Sequence, residues 1–358
     1  MWARIAIAAA IAMVAGYVVA QVFDLPAPPA PGSLDLVTPE EYVQQGIGPR
    51  DANADSRELY LDLMKRTLSN IIYEDASYSF YDDERRPVIA DRFRLDRRVQ
   101  GEDAPREAHT MVGIPRLNNL QECVETILAE NVPGDLLEAG VLRGGASIFL
   151  RAVLKAHQVT DRKVIACDTF RPTLRQGRTL FQDLLLRFLS AVASIPNKKV
   201  HRALYDLARK IPPEKRSFPI AETPSDEVIE CTMFILKHAR NFGTLHKDQT
   251  GLAAVKSHFA RYGLLDEQVM FLEGFFSDTL PTAPLTNLAL IRLDGDLYES
   301  TRDSLVPLYP KLSDGGFCVI DDYYAFTDCQ RAVDEYRTAH GITAELVRID
   351  KMAVYWRK

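Results

Sequence analysis

From Arg57 onward the apolar residues of this chain fall into two alternating rhythms. Residues 58–72 carry them at helical spacing, as do residues 117–130, whose helix should stop at Asn131-Val-Pro-Gly. Short strand-like runs then alternate with helical stretches. Strands are expected at Leu136, Val164, Val269, Leu288 and Phe317, and helices over 146–157, 252–262, after Ser300, and over 328–340. Terminal strands follow near Glu345 and Met352. This alternation predicts an α/β fold, a doubly wound and mostly parallel sheet with helices on both faces and an antiparallel C-terminal edge.

Two stretches break the pattern. Residues 5–23 are almost wholly apolar, with Arg4 in front and a Pro-rich run behind. A signal anchor and a cleavable signal peptide both fit, and the length favours the anchor, an N-terminal transmembrane helix. Residues 171–216 hold eleven Lys or Arg against three Asp or Glu, interleaved with apolar runs. Basic amphipathic helices are expected there, lying on an anionic lipid surface or forming a solvated insertion over the active site. The domain plan is an anchor over 1–23, a Pro-rich linker over 24–56, a helical lid over 57–132, and a catalytic-type domain over 133–358 with a basic insertion at about 171–250.

At 358 residues with a net charge of -6, the composition is that of an ordinary globular protein and gives no reason to invoke nucleic acid. The five cysteines are scattered, without zinc spacing or a disulfide framework, and are expected to be reduced.

The candidate chemistry lies at strand ends. Leu136 leads through Glu138-Ala-Gly140-Val-Leu-Arg-Gly144-Gly145-Ala-Ser147, a glycine-rich turn opening a helix, where amides face whatever binds. The next strand ends in Asp168, suited to ribose hydroxyls. The turn lacks both the dinucleotide glycine fingerprint and the phosphate-loop lysine, so a nucleoside ligand without phosphate, S-adenosylmethionine, fits best. Glu138 or Gly140 would meet its methionine portion and Asp168 its ribose; the plain alternative is a turn that only joins strand to helix. Two later strands end in Asp294-Gly-Asp296 and Asp321-Asp322. Gathered at one sheet edge, Asp294, Asp321 and Asp322 offer the oxygen ligands of a hard cation such as Mg²⁺; alone, such aspartates also serve as turn or cap residues.

The motifs His109-Thr-Met-Val-Gly, Arg116-Leu-Asn-Asn-Leu-Gln, Gly134 to Gly145, Phe259-Ala-Arg-Tyr-Gly, Asp278-Thr-Leu-Pro, Leu293-Asp-Gly-Asp-Leu-Tyr-Glu-Ser-Thr and Val319-Ile-Asp-Asp-Tyr occur in order. With them the chain resembles the macrocin O-methyltransferase (TylF/MycF) family over residues 57–170 and 250–358. The resemblance implies a class I, Rossmann-like methyltransferase acting on a sugar or natural-product hydroxyl. It implies Mg²⁺ on Asp294, Asp321 and Asp322, and S-adenosylmethionine near Glu138, Gly140, Asp168 and Asp278, with Gly144, Gly145 and Ser147 continuing that turn. It also implies a homo-oligomer whose sites are enclosed by residues 73–81 and the His109 segment.

Asp294 is the candidate base, with Asp296 and Glu299 as alternates, and His109 a further one if a lid brings it over the metal. Tyr298 and Tyr323 are expected to pack on substrate or core. The charge bias around the anchor directs the bulk of the chain outward, whereas the donor and the unpaired cysteines belong inside; the expected placement is a single-pass membrane-associated enzyme facing the cytoplasm. The competing readings are an inactive membrane-tethered scaffold that keeps the cofactor fold, and a nucleotide-dependent reductase on the same fold.

Overall fold

The computed structural model describes residues 37–47, 54–75, 77–78, 93–171, 202 and 249–358. Apart from Arg202 they belong to one compact unit, Val37–Arg178 with Asn241–Lys358. Its centre is a seven-stranded sheet of β1 (Asp135–Ala139), β2 (Val164–Asp168), β3 (Val269–Glu273), β4 (Leu288–Leu293), β5 (Leu312–Ile320), β6 (Val347–Arg348) and β7 (Val354–Arg357). The spatial order is β3-β2-β1-β4-β5-β7-β6, parallel through β5 and antiparallel at the β7 and β6 edge. The winding direction reverses between β1 and β4. At such a switch the connecting loops part in opposite directions and leave a crevice beyond the strands' carboxyl ends.

The helices described are α1 (Pro39–Gln44), α2 (Ser56–Leu68), α3 (Leu95–Gln100), α4 (Ile114–Ala129), α5 (Gly145–Ala156), α6 (Leu252–Arg261), α7 (Phe276–Thr279), α8 (Tyr298–Leu308) and α9 (Thr327–Ala339). Strand side chains alternate between two layers, as the pleat requires. Leu136, Val164, Ala166, Phe317 and Val319 pack with Leu61, Leu120, Phe149 and Phe259 of α2, α4, α5 and α6. Leu137, Ile165, Cys167, Cys318 and Ile320 pack on the other side with Leu305 and Val333 of α8 and α9 and with Trp356. Every residue of α5 from Gly145 to Leu154 is buried, which is why that segment reads as apolar nearly all round. Burying each Leu or Phe of these layers contributes roughly 1.5–3 kcal/mol.

The expected elements are present, with shifted ends. Helix α2 starts behind Asp55, whose carboxylate accepts from the Glu58 amide at 2.9 Å. It stops at Leu68 rather than continuing to Ile72, because Asn70 takes a left-handed conformation with φ 55. Strand β5 begins five residues before Phe317 and runs across Ser313-Asp-Gly-Gly. Gly316 makes this possible, since a Cβ there would lie 2.7 Å from the Ala289 carbonyl oxygen. Helices α1, α3 and α7 and a two-residue ladder between Ser77–Tyr78 and Ala104–Pro105 are too short for periodicity to reveal.

The expected transmembrane helix is corrected. Among the described residues no helix is long and apolar enough to cross a membrane, and the single-pass membrane placement inferred from it is withdrawn. Residues 5–23, on which the anchor was read, and the body of the basic insertion lie outside the described residues.

Candidate active site at the carboxyl ends of β1, β4 and β5

The site begins where two chain segments touch at the winding switch. Gly140, at φ +98, passes so close to the β4 end that a Cβ would lie 1.8 Å from the Asp294 carbonyl oxygen. The contact is fixed by the Asp294 amide donating to Ala139 O at 2.8 Å and the Gly140 amide donating to Cys167 O at 2.9 Å. Gly144, at φ +93, precedes α5, and Gly145 leaves room for the His109 carbonyl, which accepts from its amide at 3.0 Å. Asp168 braces the turn: one carboxylate oxygen accepts from Val141 N at 2.8 Å and Leu142 N at 3.3 Å, the other from Phe170 N at 2.9 Å. Asp278 is exposed on α7, just beyond the carboxyl end of β3.

Beneath the turn lies a buried chain of charges. Glu138 accepts from the Ser147 hydroxyl and from Arg292 Nη1. Arg292 Nη2 donates to Asp294 Oδ2 at 2.8 Å and pairs with Asp321 Oδ1 at 2.6 Å. The other Asp321 oxygen accepts from Arg116 of α4, whose Nε donates to Asp350 at 2.7 Å. Asp350 in turn accepts from the Met352 and Ala353 amides, each at 2.8 Å. Burial pushes the Glu138 carboxyl up to about 7, with the Arg292 charge opposing. Asp321 has the reverse balance: burial raises it, but Arg116 and Arg292 together outweigh burial and hold it below the usual carboxylate range.

Above this chain, Asp294, Asp296 and Asp322 each place a carboxylate oxygen within 4.8 Å of the other two. Asp296 is exposed, in a left-handed turn at φ 58, and its amide donates to Asp322 Oδ2 at 3.3 Å. The crowding of protein atoms, followed by the charges of Asp294 and Asp321, pushes Asp296 up to about 7. Asp322 is held well above the usual carboxylate range by burial and by Asp294, Asp296 and Asp321, and Asp294 is raised by burial against the pull of Arg292. Three carboxylates that repel one another form an all-oxygen donor set whose charge a hard divalent cation would balance, so the residues fit such an ion.

Of the acids singled out from sequence, the structure brings Asp294 and Asp322 together with Asp296, and commits both oxygens of Asp321 to arginines. The pleat accounts for the divergence of adjacent Asp321 and Asp322, since neighbours at a strand end point to opposite faces. Arg292 was missed, although a charge inside the apolar run Leu288–Leu293 must find partners when buried. Arg116 carried no such signal, since it stands at the start of a helix between Pro115 and Leu117-Asn-Asn. His109 packs beside α6, its Nδ1 2.8 Å from the Tyr262 hydroxyl and its ring centroid 4.4 Å from that of His258. Tyr298 donates to Glu335 at 2.5 Å and Tyr323 to Asp334 at 2.7 Å, so both hydroxyls are engaged by α9. Cys329 is buried and its thiol is pushed up to about 12 by that burial.

A reversing parallel sheet with a glycine turn braced by a strand-end acid on one side of the switch and clustered acids on the other has the form of a Rossmann-like methyltransferase. Comparison with known proteins agrees. The model of the macrocin-O-methyltransferase (TylF) family matches residues 57–208 and 237–358, and the chain belongs to that family. Mycinamicin III 3''-O-methyltransferase of Micromonospora griseorubida is 42% identical over 301 residues, covering 84% of this chain and 96% of its own. Demethyldecarbamoylnovobiocin O-methyltransferase of Streptomyces niveus is 40% identical over 309 residues, covering 86% of this chain and 96% of its own. The solved structure of the O-methyltransferase NovP superposes with a TM-score of 0.60 at 38% identity, covering 85% of this chain and 99% of that one. The protein is thus an S-adenosylmethionine-dependent O-methyltransferase, and the catalytic reading stands over the inactive scaffold. The family match runs through residue 208, so the greater part of the basic stretch at 171–216 belongs to the family's shared length.

Proposed function

We propose that this enzyme methylates a hydroxyl of a sugar borne on a natural product, with Mg²⁺ held by the acids at the ends of β4 and β5. The observation that carries this reading is the gathering of Asp294, Asp296 and Asp322 beside the Gly140 contact. The named relatives act on mycinamicin III and on demethyldecarbamoylnovobiocin, which supports a glycosylated acceptor. When bound, the cation would supply Lewis acidity that lowers the pKa of the acceptor hydroxyl, and S-adenosylmethionine would supply the methyl group.

The chain's own residues do the rest. Glu138, Gly140, Gly144, Gly145 and Ser147 shape the donor turn, with Asp168 and Asp278 on its ribose and adenine side. Asp294 and Asp322 would hold the cation with Asp296 or Asp321 as the third acid, and the geometry favours Asp296. Asp294, the sequence candidate for the base, has one oxygen held by Arg292. Asp296 is exposed and free of any arginine among the described ion pairs, which favours it as proton acceptor through an oxygen not given to the cation. Positioning the acceptor oxygen in line behind the methyl group is the main catalytic task, since transfer from a sulfonium needs no protein nucleophile. The assembly we propose is homo-oligomeric, which light scattering would check.

The test is incubation with S-adenosylmethionine, Mg²⁺ and a panel of glycosylated natural products, followed by mass spectrometry. Gain of one methyl group on the sugar of at least one acceptor is expected. Failure across sugars with neighbouring free hydroxyls, in a preparation that binds the donor, would overturn the assignment.

A further inference from the structure

We propose that Arg292 is a positioning residue that makes donor binding and cation binding mutually dependent. The inference rests on the reading above for which ligands bind, and goes beyond it in naming what joins their sites. Arg292 lies in the middle of the sheet and is almost fully buried, at 1% exposure. Its guanidinium is shared between two functional halves. Nη1 serves Glu138, which also takes the hydroxyl of Ser147 in the first turn of α5. Nη2 serves Asp294, a member of the acid group, and Asp321. A planar fork divided in this way cannot strengthen one contact without altering the others.

The sign of the coupling follows from the charges. A divalent cation on Asp294, Asp296 and Asp322 competes with Arg292 for the Asp294 carboxylate. The guanidinium is then drawn onto Glu138 and Asp321, which do not belong to the acid group. Glu138 and Ser147 tie the end of β1 to the start of α5, so a firmer Glu138 contact stiffens the donor turn and tightens donor binding. By linkage, donor binding must favour the cation by the same factor. Direct electrostatics acts in the opposite sense, because a sulfonium and a metal ion repel each other. Positive cooperativity is therefore a signature of the arginine route.

The far end of the network keeps this arrangement in place. Asp321 is held from its other side by Arg116, itself fixed to Asp350. Asp321 thus gives Arg292 a stationary anchor, while Glu138 and Asp294 are the two arms that respond.

Calorimetric titration of the full-length protein with S-adenosylmethionine and with S-adenosylhomocysteine, each at zero and saturating Mn²⁺, measures the coupling. S-adenosylhomocysteine carries no sulfonium charge and removes the direct repulsion. In the wild type, Mn²⁺ is expected to tighten S-adenosylhomocysteine by about fivefold or more, in the usual range of site-to-site coupling. In Arg292→Lys, whose single ammonium cannot hold both arms, the ratio should fall to within about twofold of unity. Glu138→Gln, which weakens only the donor-side arm, should do the same and covers the case in which Arg292→Lys does not fold. Arg151→Lys, at a buried arginine bound to Asp266 and Gln268 outside this network, should retain the wild-type ratio. Independent binding of the two ligands in the wild type, or undiminished coupling in both Arg292→Lys and Glu138→Gln, overturns the proposal while leaving the methyltransferase reading intact. Absence of donor binding in the wild type overturns both.

Discussion

Asp321 and Asp322 are neighbours in sequence and opposites in environment. Asp321 is ionised between two arginines, whereas Asp322 stands among carboxylates that discourage its charge. Asp296→Asn and Asp322→Asn should each weaken Mn²⁺ binding by at least about tenfold, the scale seen even for groups that only support metal ligands. Asp321→Asn should leave Mn²⁺ affinity within about threefold but cost about 3–5 kcal/mol of stability, because Arg116 and Arg292 lose a buried counter-charge. Mn²⁺ titration and urea unfolding of the same variants check both halves; loss of Mn²⁺ affinity in Asp321→Asn with normal stability would place Asp321 among the ligands. His109 gives a pH test. Burial, followed by the nearby His258, Arg143 and Arg261, lowers it from the usual 6.5 to about 4. The unfolded chain therefore takes up a proton there before the native state does, and stability should fall as pH drops from about 6.5 to about 4. His109→Phe should flatten that decline, as read by urea midpoints across the range; an unchanged slope would contradict it.

At the scale of elements, the contact between β1 and β4 is the least tolerant point. Gly140→Ala would put a methyl group into the Asp294 carbonyl and force a left-handed alanine, so a loss of more than about 2 kcal/mol is expected, together with weakened Mn²⁺ binding. Wild-type-like melting would contradict it. Phe149→Ala, in the buried stretch Gly145 to Leu154 of α5, should cost about 3–5 kcal/mol with little change in ligand affinity where the protein is folded. The helices and strands that enclose these contacts were legible in sequence because burial imposes periodicity on Leu137, Ile165, Ile291 and Ile320 alike. The strand ends were legible as carriers of chemistry because acids follow apolar runs there. The partition of those acids was not. Which face Asp321 takes depends on the pleat, and what it meets depends on Arg116, 205 residues away in the chain. The membrane anchor rests on the length and flanks of the apolar run 5–23, which lies outside the described residues, and the helices described give it no support.

For the molecule as a whole, the net charge of -6 conceals a local arrangement in which acids crowd one edge of the sheet and two buried arginines brace them from below. The winding reversal brings the glycine turn after β1 and the acids after β4 and β5 to the same edge of the sheet, where the proposed donor and cation sites would adjoin. The central claim is that a bound cation and the transferable methyl group lie side by side across the Gly140 contact. The most direct measurement is the nuclear magnetic resonance signal of S-adenosylmethionine labelled with carbon-13 at its methyl group, bound to the wild-type protein and titrated with Mn²⁺. Strong paramagnetic broadening of the methyl signal, reversed by excess Mg²⁺ and lost in Asp322→Asn, is the predicted result. A methyl signal from fully bound donor that stays sharp at saturating Mn²⁺ would contradict the account.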